Sequence, residues 1–229
     1  MRKKINVHFL HIGKTGGSAI KRTLRKAKGL DKYFLVIHPH DFRLEDVPKG
    51  EKAIFFLRDP ISRFVSGFYS RKRMGRPLNN VPWKPGEKIA FEKFNTPNEL
   101  AEALSSDSLP LRNSARKAMR NIYHVKTKYW YWFKNKKYFN SRINDIFFMG
   151  SQENLDNDFR ILKKLLGAKP SLGLPRDSNL MHKNPTNIDK RISRKGQKNL
   201  REWYKEDYKF LELCLEKELV NKECKNLFL

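Results

Sequence analysis

The apolar run Ile5-Asn-Val-His-Phe-Leu10 leads directly into His11-Ile-Gly-Lys-Thr-Gly-Gly-Ser18, and this junction narrows the fold more than any other stretch. It reads as a strand that ends in a tight turn at Gly16-Gly17, with a helix starting near Ser18. A strand–turn–helix of this kind aims backbone N–H groups and one lysine at a single point, where a phosphate or sulfate group is held. The Walker A order G-x-x-x-x-G-K-[ST] places its lysine after the glycines. Here Lys14 precedes them, so the cradle is of another type.

A second segment repeats the rhythm. Ala53–Leu57 is a short apolar run that delivers Arg58-Asp59-Pro60 at its end. Asp59 suits the cap and Pro60 the first position of a helix. That helix would carry Arg63, Ser66 and Ser70 on roughly one face. An arginine at a strand end and a serine two turns into the next helix, Arg58 and Ser66, are placed to grip a second phosphate. With strands expected at Ile5–Ile12, Tyr33–Ile37 and Ala53–Leu57 and a helix over Ser18–Lys28, the N-terminal third is an α/β unit. Right-handed crossovers put the loops after each strand along one sheet edge. Lys14, His38, His40 and Arg58 all fall on such loops, so they are expected to converge.

These motifs resemble those of the sulfotransferases that use 3′-phosphoadenosine 5′-phosphosulfate (PAPS), especially the carbohydrate branch with the heparan sulfate 2-O-sulfotransferases and their bacterial relatives. His11–Leu24 is similar to the 5′-phosphosulfate loop and Phe55–Tyr69 to the 3′-phosphate motif. Phe148–Leu155 and the stretch from Met181-His-Lys-Asn184 to Tyr204–Tyr208 are weaker matches. The resemblance implies an α/β fold, a P-loop-like parallel sheet flanked by helices, in one domain over residues 1–229. It also implies transfer of a sulfuryl group from PAPS to a hydroxyl, with a glycan as the expected acceptor. Lys14 would neutralise charge on the leaving group. The N–H groups of Thr15, Gly16, Gly17 and Ser18 would hold the 5′-phosphate, with the Thr15 and Ser18 hydroxyls adding bonds. Arg58 and Ser66 would clamp the 3′-phosphate, and Lys183 would contact the donor's adenosine end. The 2-O-sulfotransferases carry a similar His-x-His. Its second histidine matches His40, which is taken as the base, with His38 as a supporting or acceptor-contacting residue. Lysine and arginine supply the positive charge, and no metal is expected.

The formal net charge of +25, from 49 basic and 24 acidic residues, attracts polyanions and membrane surfaces without choosing among them. Two rival classes stand beside the resemblance: a basic nucleic-acid-binding protein without catalysis, prompted by this charge, and a nucleotide-dependent kinase. The kinase would need the Walker A order and a magnesium carboxylate. Specific nucleic-acid binding is not expected, and membrane-surface association would be weak. With no apolar run of membrane-spanning length, and without the N-terminal anchor of the Golgi enzymes, a cytoplasmic location is expected. Cys214 falls on an apolar helical face and, with Cys224, makes no zinc pattern.

Further along, Met74–Asn95 reads as a loop, and residues 74–144 as a candidate lid and acceptor-binding insertion. Thr96-Pro-Asn-Glu99 is a helix start. Ser108–Asn144 holds ten basic residues and no acidic one around Tyr129-Trp-Tyr-Trp-Phe133. That composition fits a sugar-stacking surface and, equally, an aromatic core with a lysine exterior. Asp145–Met149 should be a returning strand, followed by a helix through Leu166. One terminal helix is expected from about Gly196. Oligomeric state is left open.

Overall fold

Along β1 (Ile5–Phe9), Val7 and Phe9 point to one side and His8 to the other, as period-two alternation requires. The computed structural model describes residues 4–177, 184–185 and 188–219. In chain order, β1 is followed by α1 (Gly17–Leu24), β2 (Tyr33–Ile37), β3 (Lys52–Leu57) and α2 (Pro60–Lys72). Next come α3 (Pro85–Lys93), α4 (Pro97–Ala103), α5 (Leu109–Asn121), α6 (Tyr123–Lys126), α7 (Trp130–Phe133) and α8 (Lys136–Ser141). β4 (Ile146–Ser151), α9 (Leu155–Leu166), α10 (Arg194–Trp203) and α11 (Lys205–Glu216) complete the described chain.

The chain groups into two compact units. The first holds residues 4–59, 129–177 and 209–219; the second holds 60–128, 184–185 and 188–208. In the first, the described strands form one sheet in the order β2-β1-β3-β4, all parallel. The fold is therefore α/β, with a parallel sheet flanked by helices. On one face, Val7, Phe9, Ile54 and Phe56 meet Ile20 and Leu24 of α1 and Phe159, Leu162 and Leu166 of α9. On the other, the Phe55 ring lies 4.7 Å from Phe133, which stacks on Phe210 at 4.6 Å and meets Phe139 at 5.3 Å. The run Tyr129–Phe133 is thus largely core: Tyr129, Trp132 and Phe133 are buried, and Tyr131 is exposed beneath the Arg43 guanidinium. Cys214 is buried, as its helical face requires.

The second unit is built around Phe64, Phe68, Phe91, Leu100, Met119 and Tyr204. The Thr96 cap forms as expected, its hydroxyl oxygen accepting from the Glu99 N–H, while the Glu99 carboxylate reaches the Asn95 N–H. Two expectations change. The segment 74–95 contains α3, whose Pro85 starts the helix and whose Glu87 accepts from the Lys84 N–H. The terminal helix is two helices, broken at Tyr204, which leaves helical geometry with φ −103° and ψ 20°. No helix among the described residues is long and apolar enough to cross a membrane.

Arg71 and Glu87 hold α2 and α3 together through two hydrogen bonds of 2.8 and 2.6 Å, both side chains being buried. Burial pushes the Glu87 carboxyl up, but Arg71 and the N–H groups of Tyr123 and Lys84 outweigh it, so the net shift is downward. Glu87→Ala leaves a buried guanidinium uncompensated and should cost about 3–5 kcal/mol in urea unfolding. Because the folded carboxyl is the stronger acid, its contribution is complete above the ordinary carboxylate value. It disappears as pH falls through the lower, folded value, which a pH series of unfolding curves would show as loss only on the acid side.

Candidate functional site

The turn after β1 is shaped by two backbone requirements and one close contact. Lys14 has φ 70° and Gly16 φ 81°, both in the left-handed region. A lysine there carries a strain of about 1–2 kcal/mol, which only a surrounding fold sustains. At Gly17, an added Cβ would sit 2.2 Å from Cδ2 of His11, so the buried imidazole needs glycine beside it. The Thr15 hydroxyl donates to the Ile12 carbonyl at 3.0 Å and braces the loop. What Thr15 can offer a ligand is then mainly its N–H. The helical bonds start with the N–H groups of Ala19 and Ile20 on the Gly16 carbonyl. Those of Gly17 and Ser18 precede them, at a helix start with no acidic side chain in its first turn.

Arg58 directly follows β3, and one of its guanidinium nitrogens donates to the Lys14 carbonyl at 3.3 Å, joining the two predicted cationic residues. Its backbone is clamped by Tyr129, whose hydroxyl accepts from the Arg58 N–H at 3.0 Å and donates to the Arg58 carbonyl at 2.5 Å. Behind it, the Asp59 N–H donates to Glu153 at 3.0 Å, and the Ser151 hydroxyl donates to the same carboxylate at 2.7 Å. Burial pushes the Glu153 carboxyl up, opposed by these hydrogen bonds and by the charge of Arg58.

The two loop histidines have different surroundings. His40 Nδ1 lies 3.0 Å from the His11 carbonyl oxygen, which can only accept, so Nδ1 carries the hydrogen. In neutral His40 the lone pair is therefore on Nε2. The His40 ring lies against His11 with centroids 3.7 Å apart, and its own carbonyl accepts from the Trp132 indole at 2.8 Å. Its pKa is lowered, first by burial and then by Lys21 and Lys14, with the His11 hydrogen bond and Asp41 acting the other way. Lys14, Arg58 and His40 thus meet around one turn. His38, by contrast, is bonded to His8 at 2.8 Å and stacked on Phe42 at 3.4 Å.

Ser66, on α2, belongs to the second unit and is buried there. Arg63 donates to the Thr127 carbonyl at 2.8 Å, a structural bond within that unit. Lys183, with Met181 and His182, lies outside the described residues. No cluster of three potential metal ligands occurs among the described residues. Spacing assigns no role to Glu153, His8 or His11, and it places Tyr129 and Trp132 in a candidate sugar-stacking run rather than beneath Arg58 and His40. Nothing in the spacing of that run marks which ring reaches which backbone. His8 and His11 did carry a signal, being polar residues within or beside an otherwise apolar strand.

Removing the Tyr129 hydroxyl leaves both backbone groups of Arg58 without this partner. Tyr129→Phe should lower unfolding free energy by about 1–3 kcal/mol, read as a lower urea midpoint at unchanged slope.

No curated protein matches the chain significantly. The family model described as "Sulfotransferase family" matches residues 1–213, a span that includes the Lys14 turn, the Arg58 strand end and the His38–His40 loop. The chain belongs to the sulfotransferase family.

Proposed function

We propose that this protein transfers a sulfuryl group from PAPS to a hydroxyl on a carbohydrate, with His40 as the base. The observation that carries the reading is the hydrogen bond from His40 Nδ1 to the His11 carbonyl, which puts the neutral ring's lone pair on Nε2, next to the Lys14 turn. Sulfuryl transfer asks of a protein chiefly positioning and charge stabilisation. Lys14 and the N–H groups of Gly17 and Ser18 match a departing phosphate in charge and donor type. Arg58, with its backbone held on both sides, supplies a planar fork suited to the 3′-phosphate. Lysine and arginine carry the charge that binds the donor, and His40 Nε2 removes the hydroxyl proton as the oxygen attacks. A carbohydrate acceptor is supported by the +25 net charge, which favours anionic glycans.

Calorimetric titration with 3′-phosphoadenosine 5′-phosphate, beside AMP and ATP, tests the donor. The 3′-phosphorylated nucleotide should bind most tightly, and Arg58→Ala should weaken it about 10–100-fold. Equal or absent binding of all three would overturn the reading. In an assay of sulfuryl transfer, His40→Ala should lose about 10²–10⁴-fold in turnover while keeping the fold. A base accepts protons only when neutral. With its pKa lowered, His40 places the acid limb of the rate profile below the ordinary imidazole value of about 6.5. A limb above that value, or one unchanged in His40→Ala, would remove His40 from the role.

A further inference from the structure

His38 stands two residues before His40, yet it closes a different chain of groups. His38 Nε2 lies 2.8 Å from His8 Nδ1, and His8 Nε2 lies 2.5 Å from a Glu51 carboxylate oxygen. The other Glu51 oxygen accepts from the Asn6 amide at 2.8 Å. The two imidazoles are parallel to within 1°, with centroids 5.1 Å apart. A 2.8 Å N···N contact spans most of that distance, so the rings meet edge to edge, in line for a hydrogen bond. Phe42 lies flat against His38, 3° from parallel, and holds the ring in this plane.

Counting protons along the chain gives two states. An ionised Glu51 only accepts, so His8 Nε2 carries a hydrogen in both. When His8 is neutral, its Nδ1 is a lone pair, His38 donates from Nε2, and His38 Nδ1 is an acceptor. When His8 gains a proton, its Nδ1–H donates to His38 Nε2, and neutral His38 must carry its hydrogen on Nδ1. In the balanced step, a proton adds at His38 Nδ1 while the hydrogen on Nε2 passes to His8. The positive charge then rests on His8, paired with Glu51.

We infer that Glu51 and His8 are positioning residues that set the polarity of His38 Nδ1, and so decide whether His38 receives a hydroxyl hydrogen from the acceptor or donates one to an anionic group on it. The acceptor half of this statement rests on the sulfuryl-transfer reading; the chain itself does not. The groups facing His38 agree with charge being held elsewhere. Burial, His8 and Lys21 of α1 bring its pKa down to about 4, against the pull of Asp46. The Lys21 ammonium also donates to the His38 carbonyl at 3.3 Å.

The test is a long-range ¹H–¹⁵N correlation spectrum of the ¹⁵N-labelled chain through the imidazole range, for wild type and Glu51→Gln. The expected result is that His38 Nδ1 changes from protonated to unprotonated in step with loss of the His8 proton, while the His38 ring stays neutral. Glu51 is partly exposed, so its glutamine variant should fold. Without the carboxylate, the hydrogens on His38 and His8 should no longer change places together. In the wild type, independent titration of the two rings, or formation of an imidazolium at His38, would overturn the inference. Because the readout needs no turnover, it separates from the donor test. An uncoupled pair in a protein that binds the 3′-phosphorylated nucleotide sinks the chain alone, and a coupled pair in a protein that does not bind it sinks only the acceptor role.

Discussion

Because β1 is hydrogen-bonded on both sides by parallel neighbours, the backbone leaves the sheet at the same edge after β1, β2 and β3. The Lys14 turn, the His38–His40 loop and Arg58 are the three exits. Their proximity follows from the ladder, and hydrogen bonds such as the one from the His38 N–H to the Phe9 carbonyl extend the pairing to the loop itself. An antiparallel neighbour would have sent one of these segments to the opposite end. The gathering of these residues at one edge is therefore a consequence of strand direction, which the sequence specifies only through connections long enough to cross over.

The same edge concentrates positive charge next to partly buried imidazoles. Burial and the neighbouring ammonium groups both disfavour imidazolium, which lowers the pKa of His40 and brings that of His38 down to about 4. Cations that would attract an anionic donor thus also keep the proposed base ready to accept a proton. In the proposed reaction, the opposite requirements of binding anions and retaining a neutral base would be met by one arrangement of charge.

Strand positions and the meeting of Lys14, His40 and Arg58 were legible because apolar runs, glycines and crossovers carry local signals, whereas His38, expected to join them, turns to His8. Tyr33–Ile37 formed as read, and β3 gained only Lys52 at its start. Two elements escaped. α3 was hidden by prolines and glycines that look like loop, although Pro85 and Glu87 together form a helix start. The break at Tyr204 was hidden by an apolar stripe that continues across it. Within the site, spacing could nominate histidines but not their hydrogen bonds. That His40 faces a carbonyl while His38 faces another ring depends on a loop path that no periodicity encodes. For the aromatic run, burial decided in favour of core, with Trp132 and Tyr129 serving the site from beneath by bonding backbone.

The clamp that Tyr129 places on Arg58 spans 71 residues of sequence, and the one from Trp132 to His40 spans 92. Contacts of such separation form only after distant parts of the chain have come together. A nascent polypeptide that had paired its first three strands would already own the glycine turn, yet its arginine and histidine backbones would still lack these anchors. Strand pairing alone therefore does not complete this edge: its arginine and histidine backbones are anchored only once residues 129–133 have docked beneath it.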